Sequence, residues 1–274
     1  MAFLEVRDKK VYYEVHGNSN EVLVILNGIM MSCSSWQPFL GMLTKHVKVV
    51  LIDFFDQGKS DHLDGFYSQD VQVELVFEVL KALDLKQVTL LGISYGGEVA
   101  MKYALQHGDG ESLSKLILAN TTAYTDPQLK AIGESWINAA KTYDGKQFFK
   151  ATIPPIYSRD FYERQVDWLG AREHLFDKVF DKKWYEGFIR LVLSAETHDE
   201  RMSIHKINVP TLIIGADQDG ITPLSRQEEL SAYIPNSRFV VIKRCGHASM
   251  YERPIEFFTS VLGFMMVADE TFNL

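Results

Sequence analysis

A serine hydroxyl is a poor nucleophile at its own pKa. To do chemistry it needs a base within hydrogen-bond reach and a third group that orients the base. Residues suited to each part occur in this chain. Gly92-Ile93-Ser94-Tyr95-Gly96, followed by Gly97, reads G-x-S-x-G between an apolar run and a helical pattern. A serine on so sharp a strand-to-helix turn is pushed out at the sheet's carboxyl edge, and the crowded backbone requires small residues two places before and after it. Gly92 and Gly96 meet that demand, and Gly97 permits still closer packing. The helix N-terminus behind Ser94 favours developing negative charge.

Of eight histidines, His247 has the setting a base needs. It stands in Arg244-Cys245-Gly246-His247-Ala248, just after the last apolar run, with Glu252 and Pro254 following. A loop there reaches the same sheet edge as Ser94, and Pro254 is placed to open a closing helix. The orienting acid belongs to Gly215-Ala216-Asp217-Gln218-Asp219-Gly220-Ile221-Thr222-Pro223. Asp219 is preferred, because it lies four residues before Pro223, expected as the first helical residue with Thr222 as its cap. Asp217 is the alternative and reads as a turn-former.

Such groups need a scaffold that ends its strands at one edge. Phe3–Arg7 and Val11–His16 suggest an opening antiparallel pair. Val22–Asn27, Val47–Asp53, Gln87–Gly92 and Lys115–Asn120 are near-continuous Val/Ile/Leu runs, as expected of strands buried on both faces. Val71, Leu75, Val79 and Leu83 mark one helix between them, and Met101, Ala104 and Leu105 mark another directly after Ser94. After Asn120 this rhythm breaks. Residues 121–205 carry several helix-like segments, no convincing strand and an aromatic-rich composition, with Pro154 and Pro155 interrupting the helices. The strand rhythm returns at Pro210–Gly215 and Arg238–Lys243. The expected organisation is one sheet domain, residues 1–120 and 206–274, with a helical cap at 121–205.

Composition narrows the function. With 46% hydrophobic and 23% charged residues the chain is a folded globular protein. The net charge of −8 argues against nucleic acid or an anionic membrane as main partner. No apolar run reaches membrane-spanning length, and the N-terminus lacks the order of a secretory signal, so the cytoplasm is the expected location. Cys33 and Cys245, the two cysteines, read as free thiols rather than a disulfide framework or metal site.

Taken together, these motifs resemble the α/β-hydrolase superfamily, in particular its lid-bearing esterase-like branch, over nearly the whole chain. The resemblance implies an α/β fold with a mostly parallel sheet of about eight strands, flanking helices and a helical cap after the sixth strand. The order Ser94, Asp219, His247 is the one this fold uses. Asn27-Gly28 stands where the family usually has His-Gly, which by position makes the backbone N–H groups of Ile29 and Tyr95 the oxyanion donors. Asp53-Phe54-Phe55-Asp56-Gln57-Gly58-Lys59-Ser60-Asp61 looks like the family's D-x-x-G-x-G-x-S segment with Asp56 in place of its first glycine, and is read as structural. Ser94 argues against the dehalogenases and epoxide hydrolases of the fold, which use an aspartate nucleophile.

The expected activity is hydrolysis of carboxylic esters of small to medium, largely apolar substrates through an acyl-enzyme, with no metal or organic cofactor. Lactones and thioesters are alternatives within the fold. A ligand-sensing protein that keeps the fold and the three residues is the alternative of another class. Met30, Met31, Trp136 and Trp168 are candidates to line the pocket. The expected partner is a small-molecule ester, with a homodimer left open.

Overall fold

A computed structural model describes residues 2–108 and 111–267. Eight strands form one sheet: β1 (Ala2–Val6), β2 (Lys9–His16), β3 (Val22–Leu26), β4 (Lys48–Ile52), β5 (Val88–Ile93), β6 (Leu113–Ala119), β7 (Thr211–Ala216) and β8 (Ser237–Ile242). Their spatial order is β1-β2-β4-β3-β5-β6-β7-β8. β1, β2 and β4 pair antiparallel in turn, and every pairing from β4 to β8 is parallel. The opening hairpin is tighter than the hydrophobic pattern implied. Arg7 and Asp8 adopt positive φ, 53° and 58°, and form a two-residue turn, so β1 ends at Val6 and β2 starts at Lys9. Such turns match the right-handed strand twist.

All five residues of β3 and all six of β5 and β7 are buried. Alternate residues serve opposite faces. Leu23, Ile25, Leu91 and Ile93 pack with α1 (Gln37–Leu43) and the closing helix. Val22, Val24, Leu26, Val88 and Leu90 pack with α2 (Asp70–Ala82) and α3 (Tyr95–His107). The buried face of α2 is broader than the four-residue spacing suggested. It runs through Val73, Leu75, Val76, Val79 and Leu80, while Val71 and Leu83 are only half-buried.

Between β6 and β7 lie five helices: α4 (Pro127–Ala140), α5 (Gly145–Thr152), α6 (Arg159–Arg164), α7 (Val166–Val179) and α8 (Lys182–Ala195). Asp126, Asp144, Ser158 and Asp181 cap four of them with their side chains. The two ends of this segment are pinned to each other. Tyr124 and Asp199 form an isolated antiparallel bridge, and Thr125 N donates to His198 O at 2.9 Å. The inserted helices are also tied to the sheet. Arg190 of α8 donates to both carboxylate oxygens of Asp56 at 3.1 and 2.5 Å, and the Tyr95 and Ser194 hydroxyls meet at 2.8 Å.

After β7 come α9 (Leu224–Tyr233), the short α10 (Ser249–Glu252) and α11 (Pro254–Val267). Pro254 does open the closing helix. Pro223 instead sits one place before α9 with extended ψ of 151°, and Thr222 does not cap that helix because its hydroxyl is engaged elsewhere. Among the described residues no helix is long and apolar enough to cross a membrane.

Candidate active site

Ser94 joins β5 to α3 with φ 53° and ψ −121°, a left-handed conformation for a non-glycine residue. The turn holds because its neighbours over-determine it. Ser94 N donates to Ala119 O at 2.9 Å, while Ser94 O accepts from Gly97 N at 2.8 Å and from Thr121 Oγ1 at 2.8 Å. The glycines are there for space. A Cβ on Gly92 would stand 2.2 Å from Gly96 O, and one on Gly96 would stand 2.3 Å from Leu26 O.

His247 follows β8 in a loop held by the connection between α5 and α6, since His247 N donates to Ile156 O at 2.7 Å. Its ring joins two distant parts of the chain. Nε2 lies 2.9 Å from Ser94 Oγ, and Nδ1 lies 2.8 and 3.0 Å from the two oxygens of Asp219. Burial by itself would push the Asp219 carboxyl up. The facing imidazole and hydrogen bonds from His247, Asn120 and Thr222 outweigh it and hold the group below the ordinary aspartate value. An ionised carboxylate only accepts, so Nδ1 carries the proton and Nε2 presents its lone pair to Ser94. Asp219 also accepts from the backbone N–H groups of Ile221 and Thr222, each at 2.9 Å, and from Thr222 Oγ1 at 3.0 Å. Asp217 points to solvent and accepts from Cys245 N at 3.3 Å, so the structure brings Asp219 and not Asp217 to the imidazole.

The loop after β3 passes beside Ser94. Neither Ile29 N nor Tyr95 N donates to a protein acceptor among the described residues. The loop's course is fixed from behind by buried amides. Gln57 Nε2 donates to Gly28 O at 2.9 Å, Asn27 Nδ2 donates to Ile52 O at 2.8 Å, and Trp36 Nε1 donates to Asn27 Oδ1 at 2.8 Å. Asn27 thus works as a buried bracket between two strands and a helix start.

Two cavities meet at Ser94. The larger, about 440 Å³, is lined on the sheet side by Ile29, Met30, Met31, Ser94, His247 and Tyr251, and on the helical side by Trp136, Tyr157, Arg172, Phe176 and Trp184 among others. The smaller, about 70 Å³, shares Ile29, Ser94 and Trp136 and extends past Glu98, Lys130 and Glu196. Met30, Met31 and Trp136 therefore face the large cavity. Trp168 stands one layer behind it, packed against Tyr157, Phe161 and the Arg172 guanidinium.

Comparison with known proteins gives the same picture. A family model described as the alpha/beta hydrolase fold matches residues 21–254. The chain belongs to the α/β-hydrolase fold family. Solved structures agree with it. MGS-M2, an α/β hydrolase from a Medee basin deep-sea metagenome library, superposes with a TM-score of 0.93 at 37% identity, covering 100% of this chain and 99% of that one. An enol-lactonase from Burkholderia xenovorans LB400 superposes at 0.86 with 23% identity over 96% and 98% of the two chains, a likeness of fold. Among curated proteins, the uncharacterized hydrolase YugF of Bacillus subtilis is 25% identical, over 89% of this chain and 90% of its own.

Within this α/β hydrolase, several residues at the site escaped sequence reasoning. Asn120 directly follows β6 with φ 46°, donates to Asp219 Oδ2 at 3.0 Å and accepts from Ser249 Oγ at 2.6 Å. An asparagine closing an apolar strand was a weak signal that a left-handed residue follows. Gln57 and Ser249 carried no signal. Asp56, read as part of a structural turn, has a left-handed backbone with φ 68°. Its buried carboxylate also accepts from Tyr67 OH at 2.8 Å and lies 2.9 Å from His62 Nδ1, so it anchors α8 through Arg190. Cys33 and Cys245 are buried free thiols, both pushed up chiefly by that burial. This makes them poor thiolate nucleophiles.

Proposed function

We propose that this hydrolase cleaves carboxylic ester bonds through a Ser94 acyl-enzyme. The observation that carries the reading is the continuous chain from Asp219 through His247 to Ser94 Oγ, with contacts of 2.8 and 2.9 Å. Ser94 Oγ attacks the ester carbonyl while His247 Nε2 takes its proton. Asp219 keeps the imidazole in the tautomer this step needs and stabilises the cation that results. The tetrahedral oxyanion accepts from the N–H groups of Ile29 and Tyr95, each donor worth roughly 3–4 kcal/mol of transition-state stabilisation. His247 then returns the proton to the leaving alcohol, and the carbonyl reforms as an acyl-serine. Water, deprotonated by the same Nε2, attacks the acyl carbon, and Ser94 leaves with the proton held by His247.

Two cavities meeting at one serine suit an ester, whose acyl and alcohol parts leave the carbonyl in different directions. The larger, mostly apolar and aromatic, is of the size that holds a small to medium organic group. Turnover of short p-nitrophenyl esters by wild type and Ser94→Ala tests this reading. Wild type is expected to complete many cycles and the variant to fall by about 10³-fold or more. A single turnover by wild type, or full activity in Ser94→Ala, refutes it.

A further inference from the structure

The wall of the large cavity carries one fixed charge. Among its lining residues there is no Asp, Glu or Lys, and Arg172 of α7 is the lone permanently charged side chain. Its other polar groups are the Ser32, Ser34 and Ser35 segment and the hydroxyls of Tyr157 and Tyr251, besides Ser94 and His247. Arg172 is half-buried, and among the described residues no carboxylate lies within ion-pair distance of it. By contrast Arg159 and Arg190, on the same inserted helices, each pair with an acid.

The guanidinium is instead held by aromatic faces. Its carbon lies 3.9 Å from the Trp168 ring centre and 5.5 Å from that of Tyr251. The Tyr251 hydroxyl also takes one hydrogen bond from the guanidinium, and stacking of this kind leaves the remaining N–H donors of its edge for a second partner. A planar, pre-oriented fork on the wall of an otherwise apolar cavity matches a carboxylate, which it binds through two parallel hydrogen bonds. The cost of holding a cation at that wall with no internal acid is offset when a ligand brings one.

We propose that Arg172 is a specificity residue that recognises a carboxylate on the substrate, so that the preferred esters are half-esters of dicarboxylic acids, with the reacting carbonyl at Ser94 and the free carboxylate at Arg172. The inference rests on the ester chemistry proposed above. It names the substrate class, and Arg172 takes no part in bond breaking.

The test uses monomethyl esters of glutaric, adipic and pimelic acids beside their dimethyl diesters, which share the chain but lack the charge. Rates are measured for wild type, Arg172→Gln and Arg172→Lys, with thermal melts to show that each variant folds. Wild type is expected to favour the best monoester over its diester by at least about tenfold in kcat/KM. Arg172→Gln should lose about 10–100-fold on monoesters, mainly in KM, and less than about threefold on diesters. Arg172→Lys should fall between, because it keeps the charge but not the fork. Equal losses on both ester series would make Arg172 a fastener between α7 and Tyr251 and overturn the proposal, as would equal use of both series by wild type. A second arm measures calorimetric binding of monomethyl adipate to Ser94→Ala, with and without Arg172→Gln. Binding lost with Arg172 but no ester turned over by wild type would uphold carboxylate recognition and defeat the ester reading. Ester turnover with binding indifferent to Arg172 would do the reverse.

Discussion

Replacing Asp219 by asparagine changes almost no volume, so its effect reports on hydrogen-bond polarity at one buried position. Oδ1 of Asp219 faces two backbone N–H groups, from Ile221 and Thr222, which only donate. The amide oxygen of an asparagine must therefore take the Oδ1 place, and its NH₂ must take the Oδ2 place. There it meets Asn120 Nδ2 at 3.0 Å, whose own orientation is set by the Ser249 hydroxyl on its oxygen, and His247 Nδ1 at 2.8 Å. Facing an amide donor, Nδ1 becomes the acceptor and the ring proton moves to Nε2. The nitrogen 2.9 Å from Ser94 Oγ then donates where it formerly accepted, and the serine has no base. A wrong tautomer with intact geometry costs about 10⁴ in kcat, roughly 5.5 kcal/mol of barrier. The crowded donors at Asn120 cost a further ~1–3 kcal/mol of folding stability. The assay is pre-steady-state release of p-nitrophenol with paired thermal melts, and histidine ¹⁵N shifts report which ring nitrogen is protonated. The exposed Asp217→Asn serves as control and should stay within about twofold of wild type. A loss below tenfold in Asp219→Asn, or an equal loss in Asp217→Asn, would refute the reasoning.

Gly96→Ala places a methyl 2.3 Å from the Leu26 carbonyl, between a strand and the helix that carries Tyr95, so a loss of more than about 3 kcal/mol is expected in chemical denaturation; a melt within a degree or two of wild type would show that the elbow has slack. Burial pushes the Glu98 carboxyl up to about 8, against the hydrogen bond from Gln69 and the charge of Lys102. A carboxyl whose folded pKa exceeds its unfolded one binds more protons in the folded state between those values. The contribution of Glu98 to stability is therefore fully present below about 4.5 and lost as pH rises through about 8. Glu98→Gln should flatten that decline, and parallel stability–pH curves for variant and wild type would count against a protonated Glu98.

How much of this was legible beforehand depends on whether the signal was local. The elbow glycines follow from a steric demand within five residues, so the sequence shows them directly. The central parallel strands were equally legible, because strands buried on both faces lose their alternation and read as apolar runs. Asp219 rather than Asp217 lies against His247, and Thr222, expected to cap α9, serves the Asp219 carboxylate instead. Asp56 shows the limit of reading by resemblance. It lies in the turn expected after β4, but its side chain found an arginine 134 residues away.

The sequence by itself determined the elements and the chemistry within reach of each, because helix period, strand burial and turn sterics are properties of neighbouring residues. Only the tertiary structure decided which distant groups meet. Asn120 and Ser249 close around Asp219 across gaps of 99 and 129 residues in their two hydrogen bonds, and the segment between β6 and β7 holds the His247 loop and supplies the charge on the cavity wall. Such contacts depend on how packed layers stack and register, and no short-range pattern records that.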